Sequence, residues 1–382
     1  MIRPLEPRKP RQKLPQLPQK ARQKLPQQLR QQSQLASLRK HHTTGQPSIG
    51  QRGPGFAWGR WLGGLGIGVL LVGCGLGEQP SGPDRPTVVV TNTILTDLTQ
   101  RVAGDEVIVK GLLRPGDDPH LYEPVPRDTV AIERANRIFY NGYNLEPGII
   151  KLIQSSGQTA KAVAIGERVP ALTLTERGAT VPDPHVWGSA RNGIVMVMAI
   201  RDELSKLSPG DRAEFVANAD RLLGELKQLD QWIGVQIQTI PAAQRRLVTT
   251  HDAFQYYAQT YRIPVLGTLI GISTEEQPSA QTMARMAAAI RQAKVPAIFA
   301  ETTINPALIE TVAAESGVTL APDKLYADSI GVAGGPAESY VKMLAQNTRA
   351  IVRALGGHDR PFAPNLAPAS APTPSSAPAM PR

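Results

Sequence analysis

The chain has 382 residues, 41% of them hydrophobic, with 42 Lys and Arg against 32 Asp and Glu, a formal net charge of +10 and one cysteine. That length supports more than one packed core, and a lone cysteine excludes an intramolecular disulfide framework. Residues 1–73 hold 13 of the Lys and Arg and a single acid, so they carry +12 and the remainder −2, which excludes reading the basic balance as a nucleic-acid-binding surface.

The leader, 1–73, is rich in Gln, Pro, Lys and Arg, and Arg-Gln-Lys-Leu-Pro-Gln recurs at 11–16 and 22–27. It shows no apolar periodicity and reads as an extended basic region ahead of an export signal, or as a translation start set too far upstream. Trp61 to Val72 (WLGGLGIGVLLV) is the apolar core of that signal. It is too short to span a bilayer, which takes about 20 residues. It runs into Leu71-Val72-Gly73-Cys74, the pattern of a bacterial lipobox, in which a lipid joins the cysteine thiol and the signal is cut just before it. Cys74 is therefore the expected lipidation site, and 74–86, rich in Gly, Pro and Asp, is a linker from the membrane to the folded part.

Strands and helices alternate from residue 87. Thr87–Thr91 is a β-branched strand, Ile94–Val102 a helix and Val107–Leu113 a second strand. The loop Arg114 to His120 follows, then a helix from Pro126 to Ala135 with proline at its start, and a strand over Arg137–Tyr140. Asn192–Leu207 and Asp211–Ile240 are helical and are broken at Ser208-Pro209-Gly210. In the second of these Phe215, Leu222, Leu226, Leu229, Ile233 and Ile237 recur at helical spacing; Asp211 is the expected cap and Pro241 the stop. The alternation resumes with Arg246–Thr249 (strand), Ala253–Tyr261 (helix), Pro264–Thr268 (strand), Ala280–Ala293 (helix), Ala297–Ala300 (strand), Pro306–Glu315 (helix) and Val318–Leu320 (strand). This order predicts an α/β fold of two lobes, 87–210 and 242–356, each a parallel sheet flanked by helices, joined by a long rigid backbone helix over 211–241. Residues 357–382, rich in Pro and Ala, read as a disordered tail in which His358 is solvated.

Between Cys74 and Gly357 the only histidines are His120, His185 and His251, each in a loop beside carboxylates and prolines. Two share a tripeptide, Asp118-Pro119-His120 and Asp183-Pro184-His185, and the third stands in Thr250-His251-Asp252. Histidine is the commonest metal ligand near neutral pH. Ligands in open α/β sheets gather beyond the carboxyl ends of strands, where His120, His251 and Asp328 fall. Three neutral imidazoles and one carboxylate suit a divalent ion such as Zn²⁺, or Mn²⁺ if the carboxylate binds through both oxygens. Taken singly, a loop histidine serves structure as readily as ligation, and Asp328 by itself reads better as a turn or cap residue than as a ligand. Glu301, at the end of IFAE, is expected to brace a histidine or a loop from behind, and Glu123 and Asp252 are placed in the same supporting role beside their histidines.

The segments Gly116 to Pro124 (GDDPHLYEP), Asp183 to Trp187 (DPHVW), Thr250 to Tyr257 (THDAFQYY) and Tyr326 to Gly331 (YADSIG) resemble, in this order, the four metal-ligand motifs of the periplasmic manganese- and zinc-binding proteins of ABC transporters, the TroA/PsaA/ZnuA-like group. The resemblance covers about 87–356. It implies two α/β lobes on a rigid helix, His120, His185, His251 and Asp328 as ligands of one Mn²⁺ or Zn²⁺ ion, high-affinity extracytoplasmic binding, and delivery to a membrane permease. It further implies a non-enzymatic, monomeric, lipid-anchored protein with no nucleic-acid partner, on the outer face of the cell membrane or in the periplasm. Glutamate at the third ligand position goes with manganese in this group, and here that position is His251. Dedicated zinc members carry a His-rich acidic loop that this chain lacks, and Asp-Pro-His is the manganese-type wording of the first motif, so manganese is favoured over zinc. After Trp187 the chain departs from the group, with Gly188-Ser189-Ala190-Arg191-Asn192 in place of Leu-Asp-Pro-x-Asn. Two other readings stand beside this one: a zinc-dependent hydrolase, with water at the fourth position and Glu301 or Asp252 as base, although His-Glu-x-x-His is missing; and an adhesin-like surface lipoprotein with a structural metal.

Overall fold

The computed structural model describes residues 85–365 apart from Arg177. The basic leader, the apolar run, Cys74, nearly all of the linker and residues 366–382 lie outside the described residues. No helix among the described residues is long and apolar enough to cross a membrane.

The first half is built on β1 (Thr87–Val90), whose Val88, Val89 and Val90 are fully buried. An unbroken β-branched run is what a central strand covered on both faces requires. Asn92 then caps α1 (Thr93–Ala103) by accepting the Leu95 N–H at 2.9 Å. The chain runs on through β2 (Ile108–Gly111), α2 (Pro126–Arg134), β3 (Arg137–Tyr140), α3 (Pro147–Ser155) and β4 (Ala162–Ala164). The strands are parallel, in the order β2-β1-β3-β4. From β1 the chain moves outward to β2 and then returns across β1 to β3, so the loops leaving β1 and β3 diverge and open a crevice at the strands' carboxyl ends.

The second half repeats this arrangement with β7 (Leu247–Thr249), α6 (Gln255–Tyr261), β8 (Val265–Thr268), α7 (Ala280–Ala293), β9 (Ala297–Ile298), α8 (Ala307–Ser316) and β10 (Thr319–Leu320). β7 pairs with β8 and β9 with β10, both parallel, and the Phe299 N–H donates to the Val248 carbonyl at 3.0 Å to join the pairs in the order β8-β7-β9-β10. α9 (Tyr340–Ala354) closes this half. Between the halves come the antiparallel hairpin β5 (Thr173–Glu176) and β6 (Ala179–Pro182), then α4 (Ala190–Leu207) and α5 (Arg212–Gln238). The expected long helix is α5; its 27 residues span about 40 Å at 1.5 Å per residue. Its apolar stripe enters a core that also takes Val88 and Ile94 from the first half and Leu247, Tyr257 and Ile351 from the second. Each half keeps a smaller core of its own, around Ile132 and Ile138 and around Ile290 and Ile309. One shared apolar cluster on a single stiff helix couples the two sheets.

Two expectations need correction. Asp211 does not cap α5 with its side chain: it accepts the Ser208 hydroxyl at 2.5 Å, in a short turn over Pro209–Asp211 that leads into the helix. The tail does not leave the fold at 357. The N–H groups of His358, Arg360 and Asn365 donate to Thr239 Oγ1, Gln236 Oε1 and Gln228 Oε1 at 2.9, 2.8 and 2.8 Å, and Phe362 packs 5.4 Å from Trp232. An extended Pro-rich strand has no internal partners for its N–H groups, and two glutamines of α5 and the threonine just after it supply them. The elements α3, β4, the β5–β6 hairpin and α9 also lie outside the helices and strands read from periodicity.

Candidate metal centre

Each histidine is set by the end of a strand or by a tight turn. In both Asp-Pro-His tripeptides the aspartate Oδ1 accepts the backbone N–H of the histidine two residues on, at 2.9 Å for Asp118 and 3.0 Å for Asp183. This is an Asx turn, and proline pre-sets its middle residue. It holds His120 beyond β2 and His185 ahead of α4. His251 follows β7 directly, and Asp328 follows β10. After Trp187, where the chain departs from the resembling group, Ser189 caps α4 by accepting the Arg191 N–H at 3.2 Å, so the turn closes through a hydroxyl.

The four side chains converge. His120, His185, His251 and Asp328 each offer a ligand atom, and these atoms lie within 4.8 Å of one another. His120 Nε2 is 3.2 Å from His185 Nε2, His185 Nε2 is 3.6 Å from Asp328 Oδ1, and His251 Nε2 is 3.2 Å from Asp328 Oδ2. His185 and His251 are fully buried, Asp328 is 1% exposed and His120 6%.

The outer nitrogens show why the inner ones face the centre. His185 Nδ1 meets Asp183 Oδ1 at 2.8 Å, and His251 Nδ1 meets Glu301 Oε2. Glu301 is itself fixed, because its Oε1 accepts the N–H groups of Thr250 and His251 at 2.8 and 2.9 Å. A carboxylate behind Nδ1 assigns the proton there and turns the Nε2 lone pair inward, the arrangement that orients metal-binding histidines. Inside the ring His251 Nε2 and both Asp328 oxygens have no hydrogen-bond partner although they are buried. Buried polar atoms without partners are costly and rare. A divalent cation at the centre would satisfy all of them with an N₃O or N₃O₂ donor set.

The ionisation states follow from the same geometry. Burial and the neighbouring imidazoles lower the pKa of His120 to about 3, against an upward pull from Asp328. For Asp328, burial opposes ionisation, but His251 foremost and then His120 and His185 override it and hold the carboxyl below its ordinary range. For His251, burial opposes protonation, but Glu301 and Asp328 override it and raise the imidazole well above its usual value, so an arriving cation takes the place of a proton on Nε2.

The remaining sequence candidates lie elsewhere. Glu123 is exposed, and Asp252 accepts the Gln255 amide at 2.6 Å, so neither carboxylate braces a histidine among the contacts described. The residue the sequence does not single out is Asp183. The two Asp-Pro-His tripeptides are identical on paper, yet only Asp183 turns back onto its own imidazole; Asp118 Oδ2 instead accepts the Thr274 hydroxyl of the opposite half at 2.7 Å.

Two α/β halves on one helix, with a buried His₃Asp cluster at their junction, define a binding protein for a cation. The family model for zinc-uptake complex component A, periplasmic (ZnuA) matches residues 88–354, and the chain belongs to that family. Among curated relatives, the manganese-binding lipoprotein MntA of Halalkalibacterium halodurans is 31% identical over 291 residues, which are 76% of this chain and 95% of MntA. The zinc-binding protein TroA of Treponema pallidum is 35% identical over 284 residues, 73% of this chain and 92% of TroA. The solved structure of the periplasmic zinc binding protein TroA from Treponema pallidum superposes with a TM-score of 0.67 at 34% identity, over 71% of this chain and 99% of that one. The manganese ABC transporter substrate-binding lipoprotein PsaA of Streptococcus mitis is 30% identical over 297 residues, 75% of this chain and 95% of PsaA, and membership of a family of such binding proteins removes the hydrolase reading.

Proposed function

We propose that this chain is the extracytoplasmic binding component of a metal ABC transporter. It holds one divalent transition-metal ion on His120, His185, His251 and Asp328, braced by Asp183 and Glu301, and hands it to a membrane permease as cargo. The observation that carries this reading is the set of buried, unpartnered inner atoms, His251 Nε2 and both oxygens of Asp328, facing two further Nε2 atoms. With four protein side chains around the centre, the arrangement suits reversible capture better than hydrolysis, which keeps a position open for water.

Manganese is favoured over zinc as the physiological cargo. Both Asp328 oxygens face the imidazoles and neither is otherwise engaged, so the carboxylate can bind through both and give the higher coordination number that Mn²⁺ accepts. MntA is a manganese-binding relative and TroA a zinc-binding one. Zinc would bind such nitrogen-rich donors more tightly in a test tube, so supply in the cell selects the cargo. Attachment to the membrane through a lipid on Cys74, action as a monomer, and division into a leader, an N-terminal lobe, a connecting helix and a C-terminal lobe complete the proposal.

Three measurements test it. Metal analysis of protein purified without chelators or metal affinity resins should find one equivalent of manganese or zinc. In titrations with Mn²⁺ and Zn²⁺, His185→Ala should weaken both by at least about 100-fold; undiminished binding of both ions would remove His185 from the site. Intact mass after detergent extraction reads the lipid on Cys74.

A further inference from the structure

A cavity of about 890 Å³ opens onto the centre. Its walls include Tyr143, Glu167 and Pro184 from the first half of the chain and Glu275 and Glu276 from the second, and His120 closes its inner end. His120 is the member of the cluster that meets this space; His185, His251 and Asp328 are sealed behind it. Of the lining carboxylates, Glu167 from the first half and Glu275 from the second are exposed to this space.

The rim is built, not incidental. Glu167 Oε1 accepts the Tyr143 N–H at 3.1 Å and lies against Gly142, whose φ of 86° and missing Cβ let the carboxylate come so close. On the other side the loop that carries Glu275 is tied across the mouth by the Thr274 hydroxyl, which donates to Asp118 Oδ2 at 2.7 Å. The negative rim thus belongs to both halves of the chain, and an independent feature, the unpartnered cluster behind His120, already points to a cation as the thing that passes it.

We propose that this cavity is the entry port for the metal, in which Glu167 and Glu275 speed capture by drawing a hydrated dication onto His120, the first ligand it meets. The inference rests on the proposed function and adds the route and the residues that set its rate. Carboxylates at the mouth of a cleft with low-dielectric walls concentrate a cation and raise its association rate in a salt-dependent way. A dication feels each carboxylate twice as strongly as a monovalent ion does. The final ligands are unchanged, so the carboxylates act mainly on the rate of arrival.

The test is stopped-flow uptake of Zn²⁺ and of Mn²⁺ by wild type and by Glu167→Gln/Glu275→Gln, followed by the fluorescence of Trp187, whose ring is 5.5 Å from that of His185. Glutamine keeps the shape and the acceptor oxygen that holds the Tyr143 N–H. The variant should associate about tenfold more slowly at low ionic strength, with the gap shrinking to about twofold at high salt, and should still take up one ion. Glu133→Gln/Glu310→Gln, which removes the same charge from exposed helical positions away from the port, should associate at the wild-type rate. Equal slowing of both variants, no slowing of the first, or slowing that salt does not relieve would each overturn the port. Failure of wild type itself to take up either ion would instead overturn the binding function.

Discussion

At the scale of single residues, the centre depends on carboxylates that never face it. Asp183 combines two tasks, capping the turn that presents His185 and holding the outer nitrogen of its ring. Asp183→Ala should therefore lower affinity for Mn²⁺ and Zn²⁺ by about 10- to 100-fold while leaving one ion bound at saturation, read by competition with a chromophoric chelator. Glu146 is a different case. It is fully buried away from the metal ligands, and burial raises its pKa from 4.5 to about 7, only partly offset by the Thr91 hydroxyl and the Asn141 N–H that it accepts. The folded state holds this proton more tightly than the unfolded chain does. The resulting stability is complete below pH 4.5 and is lost as pH rises through about 7. Relative to wild type, Glu146→Gln should gain on the order of 3 kcal/mol between pH ~4.5 and ~8, measured by urea unfolding of metal-free protein at several pH values. A difference that does not change with pH would show that Glu146 stays ionised in the fold.

At the scale of elements, close packing between helices holds the turn that carries His185. Gly193 sits in α4, where alanine would ordinarily help the helix by about 1 kcal/mol. A Cβ there would stand 2.6 Å from Cε1 of Tyr340, a fully buried ring whose hydroxyl donates to the Trp187 carbonyl at 2.7 Å and the Ser189 carbonyl at 3.0 Å. Overpacking outweighs propensity, so Gly193→Ala should destabilise by about 1–3 kcal/mol in thermal or urea unfolding. The same tyrosine explains why α9 matters to the site though it carries no ligand: it joins the turn after His185 to the second half of the chain. The loop between β8 and α7 is the corresponding tie on the opposite side, through Thr274 and Asp118.

At the scale of the whole molecule, the shared core along α5 resists wide opening, so metal loss should rearrange loops and tilt the sheets slightly. Small-angle scattering with and without metal should give nearly superimposable profiles, whereas a large increase in radius on chelation would disprove the rigid-helix account. Binding still stabilises the fold by mass action. At an ion concentration 1,000 times the dissociation constant the gain is about 4 kcal/mol, visible as a rise in Tm on adding Mn²⁺ or Zn²⁺. A structural metal behaves otherwise, since its removal would unfold the chain.

Much of this was legible in one dimension, for particular reasons. Alternating apolar runs announced parallel strands and helices because each must bury a face at its own period, and the stripe from Phe215 to Ile237 announced the long helix. The four residues of the proposed centre were legible because metal chemistry restricts the residue types and, at His120 and His185, the Asx turn leaves its own three-residue signature. Of the supporting carboxylates only Glu301, at the end of its strand, was legible, and it meets His251 Nδ1. Asp183 and Asp118 have the same neighbours in sequence and opposite partners in space, and Glu123 and Asp252 adjoin histidines without bracing them. Where a side chain points after the chain has turned is settled by what the other half brings within about 3 Å, because a hydrogen bond weakens steeply with distance and angle. The strap at 358–365 had the same cause: its partners are glutamines far back along α5, which proximity in sequence does not reveal. Residue types and periods are local properties that the chain carries with it, and pairings across the fold exist only once it has closed.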